Sequence, residues 1–204
     1  MLELKDITLR FEQKTVLDKC SLRLHPGERI ALMGPSGCGK TSLLRVALGL
    51  QMPDSGSVSC TFQSVAAVFQ EPRLLPWRTA AENVNLVLSD KAETMPEALH
   101  WLDTLELSDA QALYPAEMSG GMQQRLSIAR ALASGPELLV MDEAFKGMDE
   151  ELKARILHVT ADLLGDRALM LITHSEQEAR ALNCRVLRYH SGYFSSSEDA
   201  QRRR

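Results

Sequence analysis

Several short stretches of the chain are continuously apolar, and three of them are rich in large aliphatic residues. Residues 30–33 read IALM, 138–141 read LLVM and 169–172 read LMLI. Short apolar runs bounded by turn residues or charges suit strands buried on both faces of a parallel sheet. The predicted strands around them span residues 29–33, 137–141 and 168–173. Amphipathic spacing predicts helices over 40–49, 150–164 and 175–183, one after each run. Further helices are predicted over 78–89, over 95–107 with Pro96 in the first turn, and from Ser119 to about residue 133. Residues 2–9 and 15–24 read as strands around a polar turn at Glu12, Gln13 and Lys14. Turns at His25, Pro26, Gly27, Glu28 and at Pro53, Asp54, Ser55, Gly56 separate these from short strands at 57–62 and 65–69. A last strand is predicted at 185–190, and residues 191–204 are expected to form a flexible tail. No repeat or low-complexity linker breaks this order.

The first apolar run opens into residues 34–42, GPSGCGKTS. Gly34, four residues, Gly39, Lys40 and Thr41 fit the phosphate-loop template in its strand-to-helix setting. Unpaired amides at a helix N-terminus, with the positive end of the helix dipole, favour anions. Glycines let those amides curl around a phosphate. Gly34, Pro35, Ser36, Gly37, Cys38, Gly39, Lys40, Thr41 and Ser42 are therefore predicted to hold a nucleoside triphosphate. Lys40 would reach the terminal phosphates, and the Thr41 hydroxyl would ligate magnesium.

The second run ends on Asp142 and Glu143. The C-terminal end of a buried parallel strand faces the ligand crevice of an open α/β sheet. Asp142 is predicted to orient magnesium and Glu143 to polarise an attacking water. Two adjacent acids at a solvated strand end are the plainer alternative. Ser119, Gly120 and Gly121 open a long helix, and two readings fit them: an ordinary cap after a turn, or a second anion site. A chain with one phosphate loop has no evident use for a second.

Composition narrows the setting. A chain of 204 residues suits one domain. A net charge of −4 and a pI near 5.8 argue against a general nucleic-acid binder. Cys20, Cys38, Cys60 and Cys184 are scattered without a C-x-x-C pair, which disfavours zinc or a disulfide framework and points to a reducing cytosol. MLELKDITLR is no signal peptide. No apolar run approaches the roughly 20 residues of a membrane helix. Work at a membrane would require a docking partner.

Taken together, GPSGCGKTS, Gln70, SGGMQQR at 119–125, LLVMDE at 138–143 and Thr173-His174 resemble the ATP-binding subunit of an ABC transporter, over about residues 2–190. The resemblance implies an α/β fold with a P-loop NTPase (RecA-like) core, an N-terminal antiparallel β subdomain and an inserted α-helical subdomain at about 73–134. All of this would form a single ABC ATPase domain over residues 1–190. It implies a homodimer on ATP binding, in which Ser119, Gly120 and Gly121 of one chain cap the ATP held by the other. That would give the second site its use. Gln70 resembles the Q-loop glutamine, which touches magnesium and water. Asp149 resembles the D-loop aspartate, which crosses to the opposite site. His174 resembles the switch histidine on the γ-phosphate. Phe11 resembles the aromatic that stacks on adenine, or is an edge-strand core residue. The implied catalytic set is Glu143, His174 and Gln70, and the implied magnesium set is Thr41, Gln70 and Asp142. His25, His100, His158 and His190 stand without a motif and read as surface or packing residues.

Two departures from the family pattern stand out. Met118 and Met122 flank the SGG, with glutamine one place late at Gln123. Ala144 follows Glu143 where the family has proline, and Lys146 lies nearby. The intact SGG core implies that γ-phosphate binding survives, and the second departure bears on turnover rather than on ATP binding. The stretch EPRLLPWRTAAENVNL after Gln70 resembles importers of the nitrate, sulfonate and taurine type. Leu74, Leu75, Pro76 and Trp77 would then lie near the groove that receives the permease, unless Trp77 packs inside the helical subdomain. The implied protein uses ATP and Mg2+ to power a bacterial-type importer of a small solute, oxyanion- or sulfonate-like or a small organic molecule. It would act through a separate membrane permease and a solute-binding protein, without nucleic acid, in the cytoplasm on the inner face of the cell membrane. Two other classes compete. A soluble ABC ATPase of DNA repair or chromosome organisation would need long coiled coils, for which residues 71–118 have neither length nor heptads. A P-loop small-molecule kinase would need a lid and an acceptor pocket, but not SGG or His174.

Overall fold

The computed structural model describes residues 1–12, 14–190 and 193–196. Its described residues form two compact units, Met1–Gln63 with the chain from Asp166 onward, and Ser64–Gly165. The first unit opens with strands Leu2–Phe11 (β1), Lys14–Leu24 (β2) and Arg29–Met33 (β3), helix Lys40–Ala47 (α1) and strand Ser55–Cys60 (β4). The second contains Val65–Val68 (β5), Ala80–Leu88 (α2), Met95–Thr104 (α3), Gly120–Ala133 (α4), Leu138–Asp142 (β6) and Glu150–Leu164 (α5). The chain then returns to the first unit with Ala168–Ile172 (β7), Glu176–Ala181 (α6), Arg185–His190 (β8) and Tyr193–Ser196 (β9). β9 stands where the sequence leads one to expect a flexible tail, and pairs antiparallel with β8, from Leu187 opposite Ser196 to His190 opposite Tyr193. Residues 191–192 and 197–204 of that expected tail lie outside the described residues.

The first unit has an antiparallel sheet and a mainly parallel one. β1 lies between β2 and β4, antiparallel to both. β3 lies between β7 and β8, parallel to both. The apolar runs explain the parallel set, since every residue of β7 is buried, as are Ile30, Ala31, Leu32 and Met33 of β3. α1 buries Leu43, Leu44, Val46 and Ala47. Gly49, with φ 68°, follows its end as the left-handed residue that commonly stops a helix.

In the second unit β5 and β6 pair in parallel, and β6 is buried throughout. α2 begins with a capping box: the Thr79 hydroxyl accepts from Glu82 N–H, and the Glu82 carboxylate accepts from Thr79 N–H. Buried Asn83 donates to the carbonyls of Leu75, Arg78 and Thr79 and accepts from Leu75 N–H. That one side chain fixes the loop carrying Trp77. Buried Arg125 of α4 donates to the carbonyls of Leu105 and Glu106 after α3. Glu106 in turn accepts from Arg155 of α5 at 2.7 and 3.1 Å.

Candidate functional site

The phosphate loop leaves β3 and enters α1 without a side-chain cap. Lys40, the first residue of α1, is buried, and its Nζ donates to the carbonyls of Gly34 and Pro35, both at 2.9 Å. The loop thus holds its own cation by backbone oxygens. Cys38 Sγ lies 3.8 Å from the same Nζ. Pro35, Ser36 and Gly37 are exposed, as is Thr41, while Ser42 is half-buried. Gly39 has φ 105°, and a Cβ there would meet the Val16 carbonyl oxygen at 2.8 Å and Leu17 Cδ2 at 2.9 Å. The sequence assigns this glycine to phosphate. The structure adds that β2 itself excludes any side chain there.

Two further expected residues belong to the same unit. Phe11 ends β1 opposite Lys14 and is 47% exposed, so it is not an edge-strand core residue. His174 follows β7 and is exposed, flanked by buried Thr173 and half-buried Ser175. Of the histidines without a motif, His25, His100 and His158 are exposed, and the side chain of His190 lies outside the described residues.

The second unit carries the acids and the SGG loop. Asp142 is buried at the end of β6, and Glu143 beyond it is half-buried. Glu143 has φ 47°, a left-handed value that is uncommon outside glycine and marks local strain. A proline at position 144 would push the preceding residue to extended backbone. Ala144 leaves Glu143 without that restriction. Lys146 Nζ lies 3.8 Å from Glu143 Oε2. Buried Ala144 and Phe145 anchor the turn between them. Asp149 caps α5, its Oδ1 accepting from Leu152 N–H at 2.9 Å, so the D-loop aspartate of the resemblance also has a local duty. Gln70 is exposed after β5.

Ser119 caps α4 by accepting from Met122 N–H at 3.3 Å. Gly120 has open space where a side chain would project, whereas a Cβ on Gly121 would lie 3.0 Å from the Gly147 carbonyl oxygen. The two glycines therefore differ. Gly121 lets α4 approach the loop that carries Glu143 and Lys146. Trp77 is 71% exposed, so it is not packed inside the helices, and Leu74 and Leu75 are half-buried beside it. Sequence reading missed Glu178, a buried acid whose carboxylate accepts from Thr173 Oγ1 at 2.5 Å. Its signal was an acid on the inward face of a predicted helix.

The family model described as ABC transporter matches residues 17–146. This chain belongs to the ABC transporter family. As the ATP-binding subunit of such a transporter, the cassette hydrolyses ATP in a reaction coupled to transport. Among curated relatives, the aliphatic sulfonates import ATP-binding protein of Albidiferax ferrireducens is 37% identical, over 97% of this chain and 73% of its own length. A protein of the same description from Pseudomonas syringae is 40% identical, over 87% of this chain and 75% of its own length. A sulfate/thiosulfate import ATP-binding protein of Chromobacterium violaceum is 36% identical, over 90% of this chain and 54% of its own length. Among solved structures, the dimeric cassette MJ0796, in a post-hydrolysis state with ADP and Pi, superposes with a TM-score of 0.85. It is 26% identical, over 96% of this chain and 97% of its own. No helix among the described residues is long and apolar enough to cross a membrane.

Proposed function

We propose that this cassette powers an importer of small sulfonates or related oxyanions through a separate membrane permease supplied by a solute-binding protein. The solute class comes from the relatives, whose names specify import of aliphatic sulfonates or of sulfate and thiosulfate. The observation that carries the ATP site is the buried Lys40 ammonium fixed on the carbonyls of Gly34 and Pro35. It sets a charge and a row of amides where triphosphate oxygens can be gathered, with Ser36, Gly37, Cys38, Gly39, Thr41 and Ser42 completing the loop. Phe11 would stack on the adenine.

Magnesium fits the donor chemistry. A hydroxyl on Thr41, a carboxylate on Asp142 and an amide oxygen on Gln70 are hard oxygen ligands of the kind it takes. When bound it would neutralise charge on the phosphate oxygens. Glu143 would then direct the water, and His174 would hold the γ-phosphate. Ser119 and Gly120, at the open start of α4, would cap the nucleotide of a second copy, with Asp149 reaching the same site. Gly121 would let that loop sit where it does. Residues 73–134 would form the helical subdomain within one ABC ATPase domain over residues 1–190, and the exposed Trp77 would meet the permease. The protein would then lie on the inner face of the membrane.

Two measurements test this reading. Copurification with a membrane permease should succeed, and solute with its binding protein should stimulate ATPase of the assembled transporter. ATPase stimulated by DNA, or phosphate transfer to a small acceptor, would overturn it.

A further inference from the structure

Thr173, Ser175 and Glu178 close a ring of three hydrogen bonds around the backbone of His174. Thr173 Oγ1 donates to Glu178 Oε2 at 2.5 Å, Ser175 N–H donates to Thr173 Oγ1 at 3.0 Å, and Glu178 N–H donates to Ser175 Oγ at 3.3 Å. Thr173 and Glu178 are buried, whereas the His174 side chain between them is exposed. A buried carboxylate is expensive to desolvate, so its partners must compensate, and here they include the hydroxyl of Thr173, the residue before the histidine.

The ring is itself anchored. Thr173 N–H donates to the Leu32 carbonyl, which continues the β3–β7 pairing past the end of β7. Glu176 Oε1 accepts from Arg188 of β8 at 2.5 Å at the start of α6. Arg29 Nη1 donates to the Leu182 carbonyl at 3.2 Å at its end. The helix cannot slide without breaking bonds to β8 and to β3, the phosphate-loop strand itself.

We propose that Glu178 is a positioning residue for ATP hydrolysis: through the Thr173 hydroxyl it fixes the backbone of His174, so that the imidazole is presented in one orientation. This rests on the reading of His174 as the group on the γ-phosphate. The reaction gains from such a clamp because misplacing a catalytic group by an ångström can slow a reaction by about 100-fold.

The test is steady-state ATPase of the full chain with substitutions on both sides of the ring. Glu178→Ala and Thr173→Val should each lower kcat by about 10-fold while leaving KM for ATP within about twofold. Glu178→Gln and Thr173→Ser, which keep an acceptor and a hydroxyl, should recover most of the rate. In a His174→Ala background the added Glu178→Ala or Thr173→Val change should slow kcat by less than about twofold, since there is no imidazole left to place. If His174→Ala is slow but Thr173→Val keeps the wild-type kcat, the positioning role is overturned and the His174 reading stands. Equal losses with and without His174 would make the ring a structural element only. A wild-type rate for His174→Ala would remove both. Should Glu178→Ala fail to fold, the Thr173 pair carries the same test.

Discussion

The phosphate loop and the loop after β6 hold charge by opposite means. In the first, the Lys40 ammonium is buried and bound by two carbonyls of its own loop. In the second, Glu143 sits at φ 47° and meets Lys146, whose side chain is 66% exposed, at 3.8 Å. Backbone dipoles cannot rotate away, whereas an exposed lysine moves freely and is screened. The Lys40 ammonium is therefore fixed within its loop, whereas the Glu143–Lys146 contact is adjustable. Substitutions in the two loops should separate affinity from rate.

The largest separation is expected from Glu143→Gln. It should bind MgATP normally yet hydrolyse it at least about 100-fold more slowly, in line with the worth of general-base positioning. Single-turnover ATPase beside equilibrium nucleotide binding measures both, and the trapped ATP-bound dimer should appear on gel filtration. Unchanged turnover would take Glu143 out of the mechanism and erase the contrast.

Gly39→Ala attacks the phosphate loop instead. Its φ of 105° and the 2.8 Å approach to the Val16 carbonyl should together destabilise the fold by about 2–4 kcal/mol, read from denaturant unfolding. Full stability in this variant would mean that β2 yields easily and that the loop is softer than it looks.

Lys146→Ala should act on rate alone and in the other direction. An exposed ion pair is worth at most about 1 kcal/mol, so removing this contact to the Glu143 carboxylate should raise kcat by no more than about fivefold. Lys146→Arg should stay near wild type. A fall in kcat for Lys146→Ala would show that the lysine assists the acid rather than competing for it.

The smallest effect lies at the Glu106–Arg155 ion pair of the second unit. The hydrogen bonds from Arg155 hold Glu106 below the ordinary glutamate pKa, against a weaker upward push from burial. A depressed folded-state pKa means that this contribution is present above the unfolded value, about 4.3, and is lost as pH falls through the lower folded one. Glu106→Gln should therefore lower Tm at neutral pH, and the gap to wild type should close on acidification through that window. A gap that does not change with pH would assign the loss to packing.

Much of this was legible before the fold. GPSGCGKTS is contiguous, and its chemistry depends on local amides, so residues 34–42 announced themselves. The apolar runs became β3, β6 and β7 because a parallel strand buried on both faces has no polar positions to spare. Thr79 and Glu82, three residues apart, similarly encode the start of α2. Other features were not legible. Nothing near Gly39 in sequence foretells Val16, and nothing near Gly121 foretells Gly147. Trp77 could have been inside or outside until Asn83 was seen fixing its loop. Residues 193–196 looked like tail until β8 offered them an edge to pair with.

The sequence by itself therefore determined most of the elements, the phosphate loop and the family, because each rests on residues a few positions apart. Tertiary structure decided which glycines are held by packing, that Asp149 caps α5, that Glu143 takes a left-handed backbone beside Lys146, and that Glu178 is tied to Thr173. These depend on how backbone turns and distant segments bring groups within hydrogen-bond or van der Waals range. Such meetings are set by the summed packing of the chain, which no local pattern encodes.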